Sequence, residues 1–549
     1  MLKNVKCARC VRCGKEYEAV PNLTNCTCGG ILDIIYDYDY IRGHFSKETL
    51  KNRVNPTMWR YRELLPVEET TPDTPLRVGW SPLYEEPRLA AQLGLKKLWV
   101  KDDGINPTAS LKDRASAMAV AKAQEAGAKI IACSSTGNAA SSLAGNAAAA
   151  GLKTFIFVPS RAPKGKVAQL MTFGANVISV QGNYEETFEL SKKAIDKWGW
   201  YNRNAAINPY LSEGKKTVAL EIMEQLSWQV PDYIAISVGD GCTIAGLWKG
   251  LKDLYAIGFI DRLPRLISAQ AEGCCPINRA IAENKPWEPM EENTLADSIA
   301  VGVPRNADKA LTAIRESDGI VVNVSDQEIM AAQQLLGRTC GVFGEPAGVT
   351  GAAGVKKLCE QGVIGKDDTV VSVVTGNGLK DVANAIKAAG EPISIPSDMD
   401  RLLAAFAARR LFPEPASLIS VDFGTATTFD CVTGDAYLGG LICPGVLSSH
   451  GALATGTAKL PRISLEVDAD APLIGSNTST SMRHGFVFGF AAMTEGLCAR
   501  LRMQLPGPCL VIGTGGFAQA IAAVSACLDH VRPDLILEGL RLAWKQSRS

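Results

Sequence analysis

The chain has 549 residues, of which 46% are hydrophobic and 21% charged, a globular composition in a chain too long for one ordinary domain. Lysine plus arginine and aspartate plus glutamate both number 57, so the formal charge of zero gives no sign of a nucleic-acid partner. The first residues lack the apolar core of a signal peptide, and no apolar run approaches the roughly 20 residues of a membrane span. These features predict a cytoplasmic protein with no membrane partner.

Cysteines are concentrated at the N-terminus, where five of the 16 lie within the first 28 residues. Cys10-x-x-Cys13 and Cys26-x-Cys28 are separated by about a dozen residues, a spacing typical of the two knuckles of a zinc ribbon. Four thiolates in this pattern predict a closed structural zinc site. Cys7 is one thiol too many and either replaces a ligand or is a bystander, and the better Cys10–Cys13 knuckle favours a bystander.

Apolar, strand-like runs alternate with helical stretches from about residue 76 to residue 388. Each run ends in a turn rich in Gly, Ser or Asn, which predicts a mostly parallel sheet covered by helices on both faces. The runs are Ile130–Cys133, Thr154–Val158, Asn176–Val180, Tyr233–Val238, Arg265–Ala269 and Thr369–Val374. Because ligands bind at the carboxyl ends of parallel strands, the loops after these runs are the candidate site.

One lysine follows a turn that joins a predicted strand to a predicted helix. Lys97–Lys101 reads as the strand, Asn106-Pro107 as the turn and Ala115–Ala126 as an Ala-rich helix, with Lys112 between turn and helix. A lysine that faces a cleft can form a Schiff base with an aldehyde cofactor if its amine stays partly neutral. Taken alone, a lysine in this position is more often a solvated lysine at a helix start, and the surrounding motifs overturn that interpretation.

Three loops supply polar groups at strand ends. Ser134–Ala140 (SSTGNAA) opens a helix with hydroxyls, N–H groups and an amide that suit a carboxylate and a ring oxygen. Ser237–Thr243 (SVGDGCT) is a glycine-rich turn that lets the backbone approach a phosphate at a helix N-terminus. Thr375–Asp381 (TGNGLKD) places a hydroxyl at a third strand end.

Together these elements resemble the fold-type II pyridoxal-phosphate (PLP) enzymes, with the two-lobed parallel-sheet α/β fold of the tryptophan synthase β type, and within them threonine synthase. The resemblance runs from about Cys7 to Ala388, and one branch of the family also has the cysteine ribbon. The stretches that carry it are Asn106–Arg114, Ser134–Asn138, Ala206–Tyr210, Glu213–Thr217, Thr294–Ser298, Val301–Asn306, Glu345–Gly348 and Thr375–Asp381.

The resemblance implies a cofactor role for several residues. Lys112 would bind PLP covalently and, once released by substrate, move protons at the α and β carbons. Asn138 would bond the phenolic oxygen of the cofactor, and Thr375 its pyridine nitrogen. The phosphate cradle would be formed by Gly239, Asp240, Gly241, Cys242 and Thr243.

The resemblance also implies a reaction, in which O-phospho-L-homoserine loses phosphate and water adds at the β carbon to give L-threonine. Ser135 and Thr136 would hold the substrate carboxylate, and Asn183 and Asn208 would be further substrate contacts. We expect the enzyme to be a homodimer.

The sequence departs from the family pattern at three positions. Ala109 and Leu111 stand where the family usually has Gly and Phe, which we interpret as packing changes. Glu189 stands near the place where family members have a basic residue for the substrate phosphate. Replacement cations could be Lys164, Lys166, Lys192 or Arg203. An alternative reaction is therefore β-replacement or elimination on O-phosphoserine, as in a cysteate synthase-like enzyme.

The resemblances, the cysteine ribbon and a linker with Gly390, Pro392 and Pro396 imply four segments: a zinc-ribbon-like segment (1–35), the PLP domain (36–390), the linker (391–397) and a C-terminal domain (398–549). The last segment resembles the later part of a type III pantothenate kinase, a partial actin/sugar-kinase-like domain. Its matching residues are Asp400, Arg401, Asp422, Gly424, Thr425, Thr427, Gly513, Gly515 and Gly516. The first phosphate clamp of that family is missing, so we expect a degenerate site without kinase activity.

The tail could dimerise, act as a regulatory ligand-binding module, complement a partner or be a passive remnant. A competing hypothesis for the whole chain is a nucleotide- or pantothenate-sensing protein with a vestigial PLP head. The intact lysine and cofactor loops favour an active enzyme.

Overall fold

The computed structural model describes residues 2–160, 162, 164–390, 399–456, 463–465 and 472–546. Two compact units make up the chain, Met1–Gly390 (the N-terminal unit) and Glu391–Ser549 (the C-terminal unit). The expected linker 391–397 lies outside the described residues. Among the helices within the described ranges, none combines the length and apolar character needed to cross a bilayer.

The N-terminal unit contains three sheets. Its strands are β1 (Val5–Cys10), β2 (Glu16–Tyr17), β3 (Leu32–Tyr36), β4 (Leu83–Glu85), β5 (Lys97–Asp102), β6 (Ile130–Ser134), β7 (Lys153–Pro159), β8 (Asn176–Val180), β9 (Tyr201–Asn202), β10 (Tyr233–Ser237), β11 (Arg265–Ala271), β12 (Ile320–Val324) and β13 (Thr369–Val374). A small antiparallel sheet, β2-β1-β3, forms the ribbon. The two larger sheets, in the orders β12-β11-β10-β13-β5-β4 and β8-β7-β6-β9, are parallel except at the β4–β5 edge.

Helices cover the two larger sheets. They are α1 (Tyr38–His44), α2 (Lys47–Lys51), α3 (Pro87–Leu93), α4 (Lys112–Glu125), α5 (Asn138–Ala149), α6 (Lys164–Thr172), α7 (Tyr184–Trp198), α8 (Tyr210–Lys215), α9 (Thr217–Gln225), α10 (Cys242–Ala256), α11 (Pro276–Ala282), α12 (Ala307–Glu316), α13 (Asp326–Cys340), α14 (Pro346–Glu360) and α15 (Val382–Ala389). All five residues of β10 are buried, as a strand covered on both faces requires.

Small residues allow three helices to approach one another closely. A Cβ atom on Gly214 of α8 would lie 2.2 Å from the carbonyl oxygen of Arg114 in α4. A Cβ atom on Gly250 of α10 would likewise lie 2.6 Å from the carbonyl oxygen of Lys216. These close approaches pack α8 against α4, and the middle of α10 against the junction of α8 and α9.

The C-terminal unit has its own sheet and its own apolar clusters. Its elements are α16 (Met399–Leu411), β14 (Ser417–Phe423), β15 (Ala426–Thr433), β16 (Ala436–Pro444), α17 (Val446–Gly456), α18 (Thr478–Arg502), β17 (Cys509–Thr514), α19 (Ala518–Ala522), β18 (His530–Val531) and α20 (Leu535–Gln546). The sheet order is β16-β15-β14-β17-β18, with β14, β15 and β16 antiparallel and β17 and β18 parallel to β14. Helices α16 and α20 pack against each other.

Candidate active site

Lys112 is the first residue of α4 and lies at the carboxyl end of β13. The backbone N–H of Leu111 donates to the carbonyl oxygen of Thr375 at 2.9 Å, and Ser110 forms an isolated bridge with Gly376. These contacts fix the turn before α4 to the loop after β13, so the lysine and the Thr375 hydroxyl enter the same cavity.

Ala109 stands in the turn before Lys112 with a φ of +66°. Its N–H donates to the carbonyl oxygen of Asn106 at 2.7 Å, and its own carbonyl oxygen accepts from the Asn377 N–H at 3.1 Å. This left-handed conformation favours glycine. The replacement of the family's glycine by Ala109 therefore affects backbone conformation, which corrects our interpretation of it as a packing change.

A cavity surrounds the lysine and has the donor set that PLP needs. It holds an amine for the aldehyde, an amide for the phenolic oxygen and a hydroxyl for the pyridine nitrogen. The Lys112 amine and the Thr375 hydroxyl make no hydrogen bond within the described ranges, so both are available to a ligand. The lining residues are Lys112, Asn138, Ala205, Lys215, Ser237–Ile244, Ser298, Ile299, Glu345, Ala347 and Thr375.

The surroundings of Lys112 favour a neutral amine. Burial lowers the pKa of Lys112 to about 8, and the positive charges of Lys215 and Arg203 act in the same direction. The negative charge of Glu345 opposes part of this shift. A substantial neutral fraction near physiological pH is what a lysine needs to attack a carbonyl carbon or to accept a proton.

Glu345 holds the Asn138 side chain in place. The Asn138 Nδ2 donates to the Glu345 Oε1 at 2.6 Å, and the Glu345 N–H donates to the carbonyl oxygen of Gly376 at 2.9 Å. Burial raises the pKa of the Glu345 carboxyl to about 7, although the Asn138 hydrogen bond and Lys112 act against it. With one amide hydrogen bound to Glu345, the other is left for the cofactor.

The turn between β10 and α10 is built for an anion. Gly241 caps α10 at φ +84°, and a Cβ atom there would lie 2.8 Å from the Ala310 Cβ. A Cβ atom on Gly239 would lie 2.8 Å from the Ile299 Cα. Because the first N–H groups of the 15-residue helix have no intrahelical acceptor, a phosphate fits at this end.

A larger cleft opens beside the cofactor cavity. Its walls include the expected carboxylate-binding residues Ser135 and Thr136 and the guanidinium-bearing residues Arg203 and Arg305. Lys112, Asn138, Ala205, Asp240 and Ser298 line both spaces. Sequence reasoning had assigned no role to Arg305, Glu345 or Lys215, although each lies in a stretch that carries the resemblance.

Arg305 is held in position by the cofactor loop and by α7. Its backbone N–H donates to the Asp240 Oδ1 at 2.7 Å, and its guanidinium lies 4.0 Å from the centre of the Phe188 ring. Its guanidinium also forms an ion pair with the exposed Glu185, at 3.2 Å. An exposed ion pair of this kind contributes little, so a phosphate can compete for the guanidinium.

Two expected substrate contacts, Asn183 and Asn208, are not among the residues that line the cleft, and their substrate role stays a prediction. The Asn183 side chain caps α7 by accepting from the Glu186 N–H at 2.9 Å, and it is exposed. Asn208 is buried and donates to the Tyr201 hydroxyl at 3.0 Å while its Oδ1 accepts from the Tyr210 N–H. Both amides are used to shape the local backbone.

Glu189 is exposed on α7 and does not line the cleft, so its charge does not occupy the substrate site. Of the replacement cations, Lys192 is exposed and Lys166 is paired with Asp297 at 2.6 Å. Arg203 is buried in the cleft wall, where its guanidinium donates to Ser116 Oγ. The side chain of Lys164 lies outside the described part of the chain.

The four ribbon cysteines come together as a metal-binding set. The Sγ atoms of Cys10, Cys13, Cys26 and Cys28 all lie within 4.8 Å of one another, and three pairs are 3.5 Å apart. Zn–S bonds of about 2.3 Å place tetrahedral sulfurs about 3.8 Å apart, so the set fits zinc. Cys7 lies outside the cluster.

In the C-terminal unit, part of the expected kinase-like site comes together at one end of the sheet. Asp422 and Gly424 lie at the end of β14, and a Cβ atom on Gly515 would lie 2.3 Å from the Asp422 Oδ1. The Arg401 guanidinium pairs with the buried Asp430, whose carboxylate also accepts from the Tyr437 hydroxyl at 2.6 Å.

The other expected kinase-like residues are distributed as follows. Asp400 is exposed in the first turn of α16. Thr425 lies in the turn before β15 and Gly513 within β17, while Gly516 follows the β17 turn. The Thr427 hydroxyl is buried without a hydrogen bond in β15.

Comparison with known proteins identifies both parts of the chain. Residues 75–376 match the model of the pyridoxal-phosphate dependent enzyme family, and residues 398–500 that of type III pantothenate kinase. The threonine synthase of Methanocaldococcus jannaschii is 43% identical over 399 residues, which cover 72% of this chain and 98% of that enzyme. The threonine synthase of Methanosarcina acetivorans is 42% identical and 97% covered.

The type III pantothenate kinase of Nitratidesulfovibrio vulgaris (strain Miyazaki F) is 72% identical over 145 residues, 26% of this chain and 55% of that kinase. The chain thus spans about half the length of the kinases that it matches. The structure of Escherichia coli diaminopropionate ammonia lyase is 18% identical with a TM-score of 0.50, covering 63% of this chain and 92% of that one, and shows the same fold.

The cavity around Lys112 holds the donors that PLP needs, and the chain aligns with nearly the whole length of two threonine synthases. Both observations indicate the same family. The chain belongs to the family of pyridoxal-phosphate-dependent enzymes and, in its N-terminal part, to the threonine synthases, lyases that make threonine, with a type III pantothenate kinase-like domain fused behind them.

Proposed function

We propose that this enzyme converts O-phospho-L-homoserine and water to L-threonine and phosphate in the cleft in front of Lys112. The observation that carries the proposal is the position of Lys112, whose unpaired amine enters a cavity that continues into a cleft with two arginines. When bound, PLP supplies an electron sink for the carbanions of the substrate. The chain's own residues must bind the substrate, orient it and move its protons.

Lys112 is the residue that we assign to proton transfer. Because burial lowers its pKa to about 8, the released amine can take a proton from the α carbon of the substrate and return it to another carbon atom of the substrate. Asn138, oriented by Glu345, fixes the phenolic oxygen, and Thr375 offers its hydroxyl to the pyridine nitrogen. A neutral hydroxyl leaves that nitrogen less protonated than a carboxylate would.

The substrate carboxylate fits the loop Ser135–Asn138. This loop leads into the 12-residue helix α5, which begins at Asn138 and whose first N–H groups lie at the cleft end of β6. The hydroxyls of Ser135 and Thr136 add donors at the same place. The substrate amine would then lie toward Lys112, which lines the same cleft.

The substrate phosphate fits Arg203 and Arg305, which provide positive charge in the cleft where Glu189 does not intrude. Arg side chains suit phosphate because the planar guanidinium can donate two parallel hydrogen bonds. Arg203 is buried and Arg305 is held over Phe188, so both are largely pre-positioned. Binding the leaving group as phosphate assists its departure from the γ carbon.

O-phosphoserine is the alternative substrate, and a product assay separates the two. The holoenzyme is incubated with each compound, and free phosphate and the amino-acid product are measured. Threonine and phosphate in equal amounts from phosphohomoserine alone is the expected result. Turnover of phosphoserine alone would replace the proposed substrate and keep the cofactor.

A homodimer in the cytoplasm remains our prediction for the state in which the enzyme works. None of the 16 cysteines forms a disulfide in the structure, which is the state that a reducing compartment maintains. Sedimentation of the holoenzyme measures its oligomeric state, and a monomer would contradict the prediction.

We also propose that the C-terminal unit does not phosphorylate pantothenate on its own. The chain matches about half of a kinase, and Arg401 is tied to Asp430 inside the unit. Phosphoryl transfer depends on positioning both the nucleotide and its acceptor. ADP formation from ATP and pantothenate by the purified chain would contradict this proposal.

A further inference from the structure

Two consecutive lysines at the end of α8 have different surroundings. The Lys216 Nζ lies 2.7 Å from the Glu213 Oε2 and 2.6 Å from the Asp253 Oδ2. Lys215 is only 2% exposed, yet its amine forms no hydrogen bond or ion pair with any residue that the structure describes. Burying an ammonium group without a counter-charge is costly. The partner of Lys215 is therefore to be sought outside the polypeptide.

The geometry places Lys215 beside the N-terminus of α10. A Cβ atom on Gly246, one turn after Cys242, would lie 3.1 Å from the Lys215 Cβ. The glycine thus allows the lysine to approach the helix where its free N–H groups begin. Lys215 lines the cofactor cavity together with Lys112 and the loop Gly239–Thr243.

The charged groups around this cavity leave an anion as the missing partner of Lys215. The carboxylate of Asp240 already accepts from the Arg305 N–H at 2.7 Å and from the Cys242 thiol at 3.2 Å. Glu345 accepts from Asn138. Lys112 is a further cation, and its pKa is lowered partly by Lys215.

We propose that Lys215 binds the phosphate group of PLP as its counter-cation, completing the anion site formed by Gly239–Thr243 and the N-terminus of α10. The inference rests on the proposed assignment of that loop to the cofactor phosphate. Lys215 lines the cofactor cavity and not the larger substrate cleft, so the cofactor phosphate is a closer match than the substrate phosphate.

The test compares the binding of PLP and of pyridoxal, which lacks the phosphate, to the apoenzyme of Lys215→Met. A lost charge-assisted contact predicts PLP binding weaker by about 10- to 100-fold. Pyridoxal binding should be unchanged. The apoenzyme should melt at a higher temperature than wild type, because a buried unpaired charge has been removed. Lys252→Met, an exposed lysine on α10, is the matched control and should behave as wild type.

Three results would overturn the inference. If Lys215→Met binds PLP as tightly as wild type does, the inference is wrong. If the KM for phosphohomoserine rises at the same time, Lys215 binds the substrate instead. An equal loss for PLP and pyridoxal would show that the lysine only shapes the cavity. If Lys215→Met does not fold, Lys215→Gln tests the same charge with a polar side chain. A wild-type apoenzyme that binds pyridoxal as tightly as PLP would instead reject the assignment of the loop itself.

Discussion

Both units bury cationic side chains with ionic partners, but in the N-terminal unit one buried cation, Lys215, has no partner among the described residues. Around the cofactor cavity, Lys112 and Lys215 have no protein acceptor within the described ranges. In the C-terminal unit, the Arg401 guanidinium forms an ion pair with Asp430, and the Tyr437 hydroxyl donates to the same carboxylate. A buried charge without a partner indicates a ligand, whereas a buried charge with a full set of partners indicates a structural role. The unpaired lysines of the N-terminal unit therefore indicate a bound anion, whereas Arg401 of the C-terminal unit has a structural role.

Lys112→Ala tests the active side of this comparison and should have the largest effect. Threonine formation should fall by at least about 10³-fold, because the residue that binds the cofactor and moves the protons is lost. The rate of threonine release measures it, with circular dichroism to confirm the fold. Activity within tenfold of wild type would transfer the chemistry to another residue.

Asp430→Asn tests the structural side. The substitution leaves the buried Arg401 without its counter-charge, so the C-terminal unit should lose about 3–5 kcal/mol of stability. Threonine formation should not change. Urea unfolding followed by peptide-resolved hydrogen exchange measures the loss, and Asp435→Asn, at an exposed position in the same unit, is the matched control. A parallel loss of synthase activity would make the tail part of the working enzyme.

The buried Glu345 predicts a pH dependence confined to the N-terminal unit. Because the pKa of Glu345 is raised to about 7, the folded apoenzyme keeps a proton that the unfolded chain has already lost. Stability should therefore fall as the pH rises from about 4.5 to about 7, by at most about 3 kcal/mol. Glu345→Gln should flatten this part of the profile. An unchanged slope would mean that Glu345 titrates normally.

Arg305→Met sharpens the assignment of the substrate phosphate. We expect the KM for phosphohomoserine to rise by about 10- to 100-fold, because a charge-assisted contact is removed. The exposed Arg315→Met is the control for the change in charge. If KM stays constant in Arg305→Met, Arg203 alone must hold the phosphate.

Ala109→Gly should have the smallest effect, a gain of stability of about 1 kcal/mol. The alanine adopts a φ of +66°, which a glycine adopts without strain, although a more flexible unfolded chain offsets part of the gain. Thermal unfolding of the N-terminal unit measures it. A loss of stability would show that the Ala109 methyl group packs favourably.

The sequence predicted the elements of the site better than their partners. Strand-to-helix turns with Lys112, Ser134–Asn138 and Ser237–Thr243 are local patterns, and each lies at a strand end in the structure. The sequence pattern Asn183-x-x-Glu186 is a capping box, which is typical of a helix N-terminus, and Asn183 caps α7 in the structure. In contrast, no local pattern distinguishes Lys215 from Lys216.

Long-range pairs decide the remaining roles. Arg401 and Asp430 are 29 positions apart, and Asn138 and Glu345 are 207 positions apart. Such contacts depend on how sheets and helices pack, which single-sequence periodicity does not report. For the same reason Arg305 became a candidate only when the Asp240 loop and Phe188 were seen beside it.

The most direct test of the account is to find which lysine carries the cofactor, since Lys112 and Lys215 line the same cavity. The holoenzyme is reduced with borohydride, digested, and its peptides are mapped by mass spectrometry. We predict a single phosphopyridoxyl group, on Lys112. A label on Lys215, or no stable label on either lysine, would contradict the assignment of the active site.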